Sequence, residues 1–263
     1  MRKTKFFGGF LSLIVMSALC VLPAAAAEDN CNAYQEPYFT YTELDSTLQN
    51  TAPSWNLYRV SNTSRGIMIR IANGEGGTGG IFNGPNGSAI DTSTLQFCKQ
   101  SVDDTASPYY TMTKARSYGK YGLMLGAKHG AGFLDPDCRN GRAYRYKAFY
   151  QASDGSYAAS NEVTIFRLNQ PKMTRTTPTK KTITVQWKQN TKATGYELQY
   201  ARNRHFTSGK HTKKLSDGST TAKKLRGLKS NKTYYVRVRS YKTDDGITSL
   251  SAWSAPQTVK TKK

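Results

Sequence analysis

The chain has 263 residues, 11% of them aromatic, with 22 glycines, 17 tyrosines and a formal net charge of +21. This length allows roughly two domains of ordinary size, and the wealth of Tyr, Thr, Ser and Gly leans to β structure. No second apolar run of membrane length follows the first, which argues against a chain of several membrane-spanning helices.

That first run opens the chain. Arg2, Lys3 and Lys5 precede an apolar stretch from Phe6 to Leu22, and Pro23 and four alanines follow. A basic start, a short apolar middle and an A-x-A end predict a secretory signal peptide over 1–27. A membrane anchor fits less well, since the run is marginal in length and ends in a cleavage signal. Leu19 beside Cys20 argues against a lipoprotein site. Export leaves Cys31, Cys98 and Cys138. An oxidising destination favours one disulfide plus one buried or intermolecular thiol, and spacing does not choose the pair.

The mature charge is unevenly spread. Residues 28–169 carry 13 Lys+Arg against 13 Asp+Glu, whereas 170–263 carry 22 against 4, a net of +18.

Residues 28–53 predict an extended lead-in that adds a strand. From there to 168 the chain rhymes with its C-terminal part, as tandem repeats do. Arg65 to Ile71 lies against Lys181 to Trp187, both with apolar residues at alternate positions. Thr78 to Phe82 then lies against Thr194 to Leu198, and Asn140 to Ala148 against Asn231 to Val238, with Tyr144 opposite Tyr234 once a one-residue difference in the turn is allowed. Asp154-Gly155 and Asp245-Gly246 mark hairpin turns before a last strand. The first copy carries an insertion rich in Gly, Ser and Tyr within 72–130, and such loops on a rigid scaffold are where binding often resides. Leu168 to Lys172 forms a short link with limited bending.

In the second copy, Tyr234, Val236 and Val238 alternate with Tyr235, Arg237 and Arg239, which predicts a strand with one buried and one wet face. Leu228 six residues before Tyr234 predicts a tyrosine corner. With Trp187, with Tyr196, Leu198 and Tyr200 alternating, and with Ser251-Ala252-Trp253-Ser254 opening the last strand, residues 170–263 resemble the fibronectin type III family, most closely its Lys-rich copies in exported bacterial proteins. Residues 54–168 resemble a divergent copy. The resemblance implies an all-β chain: two tandem immunoglobulin-like β-sandwiches after a signal peptide. It also implies a spacer or recognition module without shared catalytic residues.

Three sites are candidates. Lys210, Lys213, Lys214, Lys223, Lys224, Arg226, Lys229, Lys232, Arg237 and Arg239 are expected on outward faces of adjacent strands and loops. They would hold an anionic cell-wall polymer or polysaccharide, or only protect edges and keep the chain soluble. Tyr109, Tyr110, Tyr118 and Tyr121 in the insertion would stack on sugar rings or face a protein partner. Cys98 and His129 would form a thiolate–imidazole pair if the chain were a hydrolase, although a disulfide or core role for Cys98 is the stronger reading. Asp135, Asp137 and Asp154 read as turn residues. No motif predicts a cofactor, a metal or base-specific nucleic-acid binding. The expected locale is extracellular or the cell surface.

Overall fold

The computed structural model describes residues 39–44, 46–71, 82–83, 89–90, 94–102, 109–114, 122–124 and 132–263. The expected signal peptide, residues 28–38 with Cys31, the glycines at 74–80, Tyr118, Tyr121 and His129 lie outside them. In chain order the elements are β1 (Phe39–Glu43), one helical turn α1 (Ser46–Gln49), β2 (Pro53–Trp55), β3 (Arg59–Asn62), β4 (Ile67–Arg70), β5 (Phe82–Asn83), β6 (Ala89–Ile90) and β7 (Gln96–Ser101). There follow β8 (Tyr110–Lys114), β9 (Gly122–Met124), β10 (Gly132–Asp135), β11 (Ala143–Gln151), β12 (Tyr157–Ser160) and β13 (Val163–Phe166). The C-terminal part supplies β14 (Met173–Pro178), β15 (Ile183–Trp187), β16 (Gly195–Ala201), β17 (His211–Leu215), β18 (Ala222–Leu225), β19 (Thr233–Asp244), β20 (Ile247–Leu250) and β21 (Gln257–Lys260).

These strands make two tandem β-sandwiches. The first packs a seven-stranded sheet (β1-β8-β7-β11-β12-β2, with β13 beside β11) on a four-stranded one (β3-β4-β10-β9). The second packs β14-β15-β18 on β17-β16-β19-β20, with β21 beside β19. Period-two burial explains each core. Ile67, Ile69 and Ile71 turn inward with Phe97, Phe133, Tyr144, Tyr146 and Ala148. Ile183, Val185 and Trp187 do so with Tyr196, Leu198, Leu225, Tyr234, Val236 and Val238. Each fully buried Val or Ile contributes about 1.5–3 kcal/mol through the water it sheds.

The two sandwiches share local devices at equal spacing. Lys229 N donates to Tyr234 Oη and Arg139 N to Tyr144 Oη, both at 2.9 Å. Three residues before each tyrosine stands the left-handed residue of the turn, Asn231 (φ 54°) and Gly141 (φ 86°). The expected one-residue offset there is therefore not needed. Ser254 Oγ accepts from Val238 N at 3.0 Å, and Ser160 Oγ accepts from Ala148 N at 2.9 Å. Each serine donates onward to the carbonyl of its next residue, Ala255 or Asn161.

Strand pairing corrects two expectations. Phe97 pairs with Ala148 as Leu198 pairs with Val238. The first sandwich's counterpart of β16 is thus β7, not residues 78–82, and the added chain between β4 and β7 precedes that strand. Ser251 to Ser254 does not open β21, which starts at Gln257. It runs beside β19 on hydroxyl bonds, Ser240 N donating to Ser251 Oγ at 3.0 Å. In the lead-in, β1 pairs antiparallel with β8 and ends the large sheet.

Asparagine amides bracket the link between the sandwiches. Asn62 Nδ2 donates to Phe166 O (2.9 Å) and Leu250 O (3.0 Å), while its Oδ1 accepts from Leu168 N (3.1 Å). Asn140 Nδ2 donates to Asn190 Oδ1 at 3.0 Å, Asn140 Oδ1 accepts from Asn169 N at 2.9 Å, and Phe166 N donates to Ser249 Oγ at 2.9 Å. These groups are largely buried, where each satisfied bond costs little to keep and much to break.

Candidate functional site

The outer face of the second sandwich carries a stack of cations and rings. On β19, Arg237 and Arg239 alternate with the buried Val236 and Val238 and point away from the core. The Arg237 guanidinium lies 4.1 Å from the Phe206 ring centre and 4.5 Å from that of Trp253. Arg239 lies 4.3 Å from the Trp253 ring centre. Neighbours on β16 fix both: Gln199 Oε1 accepts from Arg237 Nη2 at 2.7 Å, and Glu197 Oε2 pairs with Arg239 at 2.6 Å. The serine bonds described above hold the Trp253 segment in place. Burial, helped by Arg239, pushes the Arg237 guanidinium below its ordinary value. Cation–π contacts of this kind are worth about 0.5–2 kcal/mol. The two arginines are therefore fixed parts of a ladder. The signal for it was the alternation of Glu197 and Gln199 with apolar residues opposite Arg239 and Arg237; nothing in the sequence marked Phe206.

The remaining cations sit elsewhere. Lys213 and Lys214 are exposed on β17, and Lys223 and Lys224 on β18. These strands edge different sheets, so the expectation of adjacent strands is corrected: the lysines line one edge of each sheet. Lys214 Nζ rests 4.8 Å from the Tyr241 ring centre. Lys210, Arg226, Lys229 and Lys232 are exposed in loops. A cleft of about 530 Å³ near the tyrosine corner is lined by Tyr200, Arg202, His211, Leu228, Lys229 and Tyr234 among others, with His211 stacked on Tyr200 at 4.9 Å. Only four acids lie in 170–263. Glu197 and Asp244 face Arg239 and Lys242, and Asp217 is tied to Ser219 at 2.7 Å. This surface presents exposed cations at many points.

The corresponding face of the first sandwich is closed. Strand register sets Lys147, Phe149, Cys98 and Gln96 where the second sandwich has Arg237, Arg239, Gln199 and Glu197. Phe149, Cys98 and Ala159 form a second small core under Leu44, Leu48 and Tyr109. Lys147 Nζ donates to Gln49 O at 2.7 Å and lies 4.2 Å from the Tyr109 ring centre.

Tyr109, expected to be exposed, is thus 5% exposed and donates its hydroxyl hydrogen bond to Glu162. Burial, then that bond, pushes its hydroxyl far above the ordinary range. It presents no face to a sugar. Tyr110 is half-buried on β8.

Cys98 is wholly buried, so it offers no accessible thiolate. No disulfide joins Cys98 to Cys138. Cys138 Sγ donates to Asp135 O at 3.4 Å, and burial, then Asp135, pushes its thiol up to about 12. Among the described residues no group of three His, Cys, Asp or Glu could hold a metal, and no helix is long and apolar enough to cross a membrane.

Residues 169–257 match the model of the fibronectin type III domain. Among solved structures the chain is similar to the chicken CNTN1 FN1–FN3 domains, at 14% identity over 80% of this chain and 65% of that one, TM-score 0.31. It thus spans about two thirds of that structure's length. It is also similar to the FN5 domain of Drosophila Lar (22% identity, 36% of this chain and 96% of that one, TM-score 0.29) and to a computationally redesigned β-sandwich protein (23%, 36% and 96%, TM-score 0.31). No curated protein matches.

Proposed function

We propose that the chain, with its fibronectin type III domain at 169–257, is an exported, non-catalytic binding module whose second sandwich associates with anionic polymers of the cell wall or extracellular space. Such domains commonly serve as binding or spacer modules. One observation carries the reading: a net +18 is concentrated in one sandwich whose edge lysines are exposed while three of its four acids are already engaged. Solubility does not require so one-sided a field beside a neutral neighbour, and a field of this kind gathers polyanions in a salt-dependent way. The first sandwich, taken as a divergent copy of the same domain, would carry the insertion towards a protein partner.

The test is binding of the mature chain to poly(glycerol phosphate) and to uncharged dextran across a salt series. A fourfold variant, Lys213→Glu, Lys214→Glu, Lys223→Glu and Lys224→Glu, is run beside it. Retention on the phosphate polymer alone, weakening with salt and lost in the variant, supports the reading. Equal retention of variant and wild type overturns it and leaves the spacer role.

A further inference from the structure

The first sandwich buries an ion pair that its fold does not require. Lys99 on β7 and Asp135 on β10 point between the two sheets, Nζ 2.9 Å from Oδ2, with side chains 10% and 0% exposed. Period-two spacing sets Phe97 and Phe133 one rung away on the same strands, their rings stacked at 4.8 Å. The Tyr144 ring centre lies 4.5 Å from the ammonium. Corner spacing and strand register assign these positions to Tyr200 and Leu225 in the second sandwich, and that of Tyr146 to Val236. That core packs without a charge. Charges taken from water in this way seldom stabilise more than apolar residues of similar volume would.

The surroundings of the pair favour reaction at the carboxyl carbon. Asp137 N donates to Asp135 Oδ1 at 2.9 Å and Tyr146 Oη to Oδ2 at 2.6 Å. Two fixed donors therefore face the oxygens on which negative charge would grow under attack, as an oxyanion hole does. Lys99 Nζ also donates to the carbonyl of Asp137, which holds the nitrogen beside the carboxyl. The two groups are ordered already, so the entropy of bringing them together has been met by folding.

We propose that Lys99 and Asp135 condense to an intramolecular amide that ties the two sheets of the first sandwich. A proton first passes from the Lys99 ammonium to the Asp135 carboxylate. The amine lone pair then attacks Cγ, and the tetrahedral centre collapses with loss of hydroxide, which takes a proton from nitrogen and leaves as water. One Nζ–Cγ bond forms, one C–O bond breaks, one water is released, and no oxidant, reductant or further reactant is consumed. Burial pushes the Asp135 carboxyl above its ordinary range, bringing the condensing acid form within reach. Burial, the largest single influence, would lower Lys99, but Asp135, Asp137, Tyr144 and Cys138 together outweigh it and favour the ammonium, so the proton must pass within the pair before attack.

The experiment is mass spectrometry of the purified mature protein, unfolded and digested with trypsin. The expected result is a branched peptide joining the Lys99 and Asp135 segments, lighter by one water than the two together, with no cleavage after Lys99. Asp135→Ala and Lys99→Arg should each abolish it. The wild-type digest decides even if those variants fail to fold. Full cleavage after Lys99, with the Asp135 segment recovered separately at its unmodified mass from folded protein, overturns the proposal.

Discussion

Set side by side, the two sandwiches solve the same geometric problem with different chemistry between their sheets and on their outer faces. The corner tyrosines, the left-handed turn residues and the serine brackets coincide. Inside, the first has Lys99, Asp135 and Tyr146 where the second has Tyr200, Leu225 and Val236. Outside, the first buries Phe149 and Cys98 under the lead-in, whereas the second leaves Arg237, Trp253 and Arg239 at the surface. Backbone devices therefore fix the fold, and the side chains they display are at liberty to take separate tasks.

The largest test of this difference is Asp135→Ala, which leaves Lys99 charged in the core and should cost about 3–5 kcal/mol in urea unfolding. The double variant Lys99→Tyr with Asp135→Leu, copying the second sandwich, should recover most of that loss if the pair is only ionic. It should fall short if an amide ties the sheets. Next in size is Trp253→Ala, which unstacks both arginines and should cost about 1–2 kcal/mol. Ala159 stands at that place in the first sandwich, so the change makes the outer faces more alike.

How far these differences could be read in advance depends on the distance over which each is encoded. The β19 face was legible because alternation is a property of neighbouring residues, and the corner because Leu228 and Tyr234 are six apart. The counterpart of β16 was misplaced because Thr78-Gly79-Gly80 resembles Thr194-Gly195-Tyr196 in local text, while the true partner is set by pairing with β11. Asp135 read as a turn residue because Pro136 follows it, and indeed its Oδ1 accepts from Asp137 N. Nothing local announces that its other oxygen meets a lysine from another strand. The closure over Tyr109 was hidden for the same reason, being made by Leu44, Leu48, Lys147 and Phe149 arriving from distant chain.

Smaller tests concern what the sandwiches share. Tyr144→Phe and Tyr234→Phe each remove one corner bond, and equal losses of about 1 kcal/mol in thermal or urea unfolding are expected. Unequal losses would show that the corners are alike in shape but not in energy. Least of all, Asp154 and Asp217 are each held below the usual carboxylate range by the hydroxyl and amide of the serine two residues on. A lowered folded value stabilises above the unfolded value of about 3.9 and is lost as pH falls through the folded one. Asp154→Asn and Asp217→Asn should each slightly flatten the acid limb of a stability–pH curve, by like amounts.

The asparagine brackets at the junction bear on what happens when the chain is pulled. Were 168–170 the sole connection, tension would pass through one strand of backbone. Asn62, reaching both Phe166 and Leu250, and Asn140, meeting Asn190, add paths beside it. Load is then shared among springs in parallel, so a tether gripped by the basic sandwich should transmit force to its neighbour with little slack before anything yields.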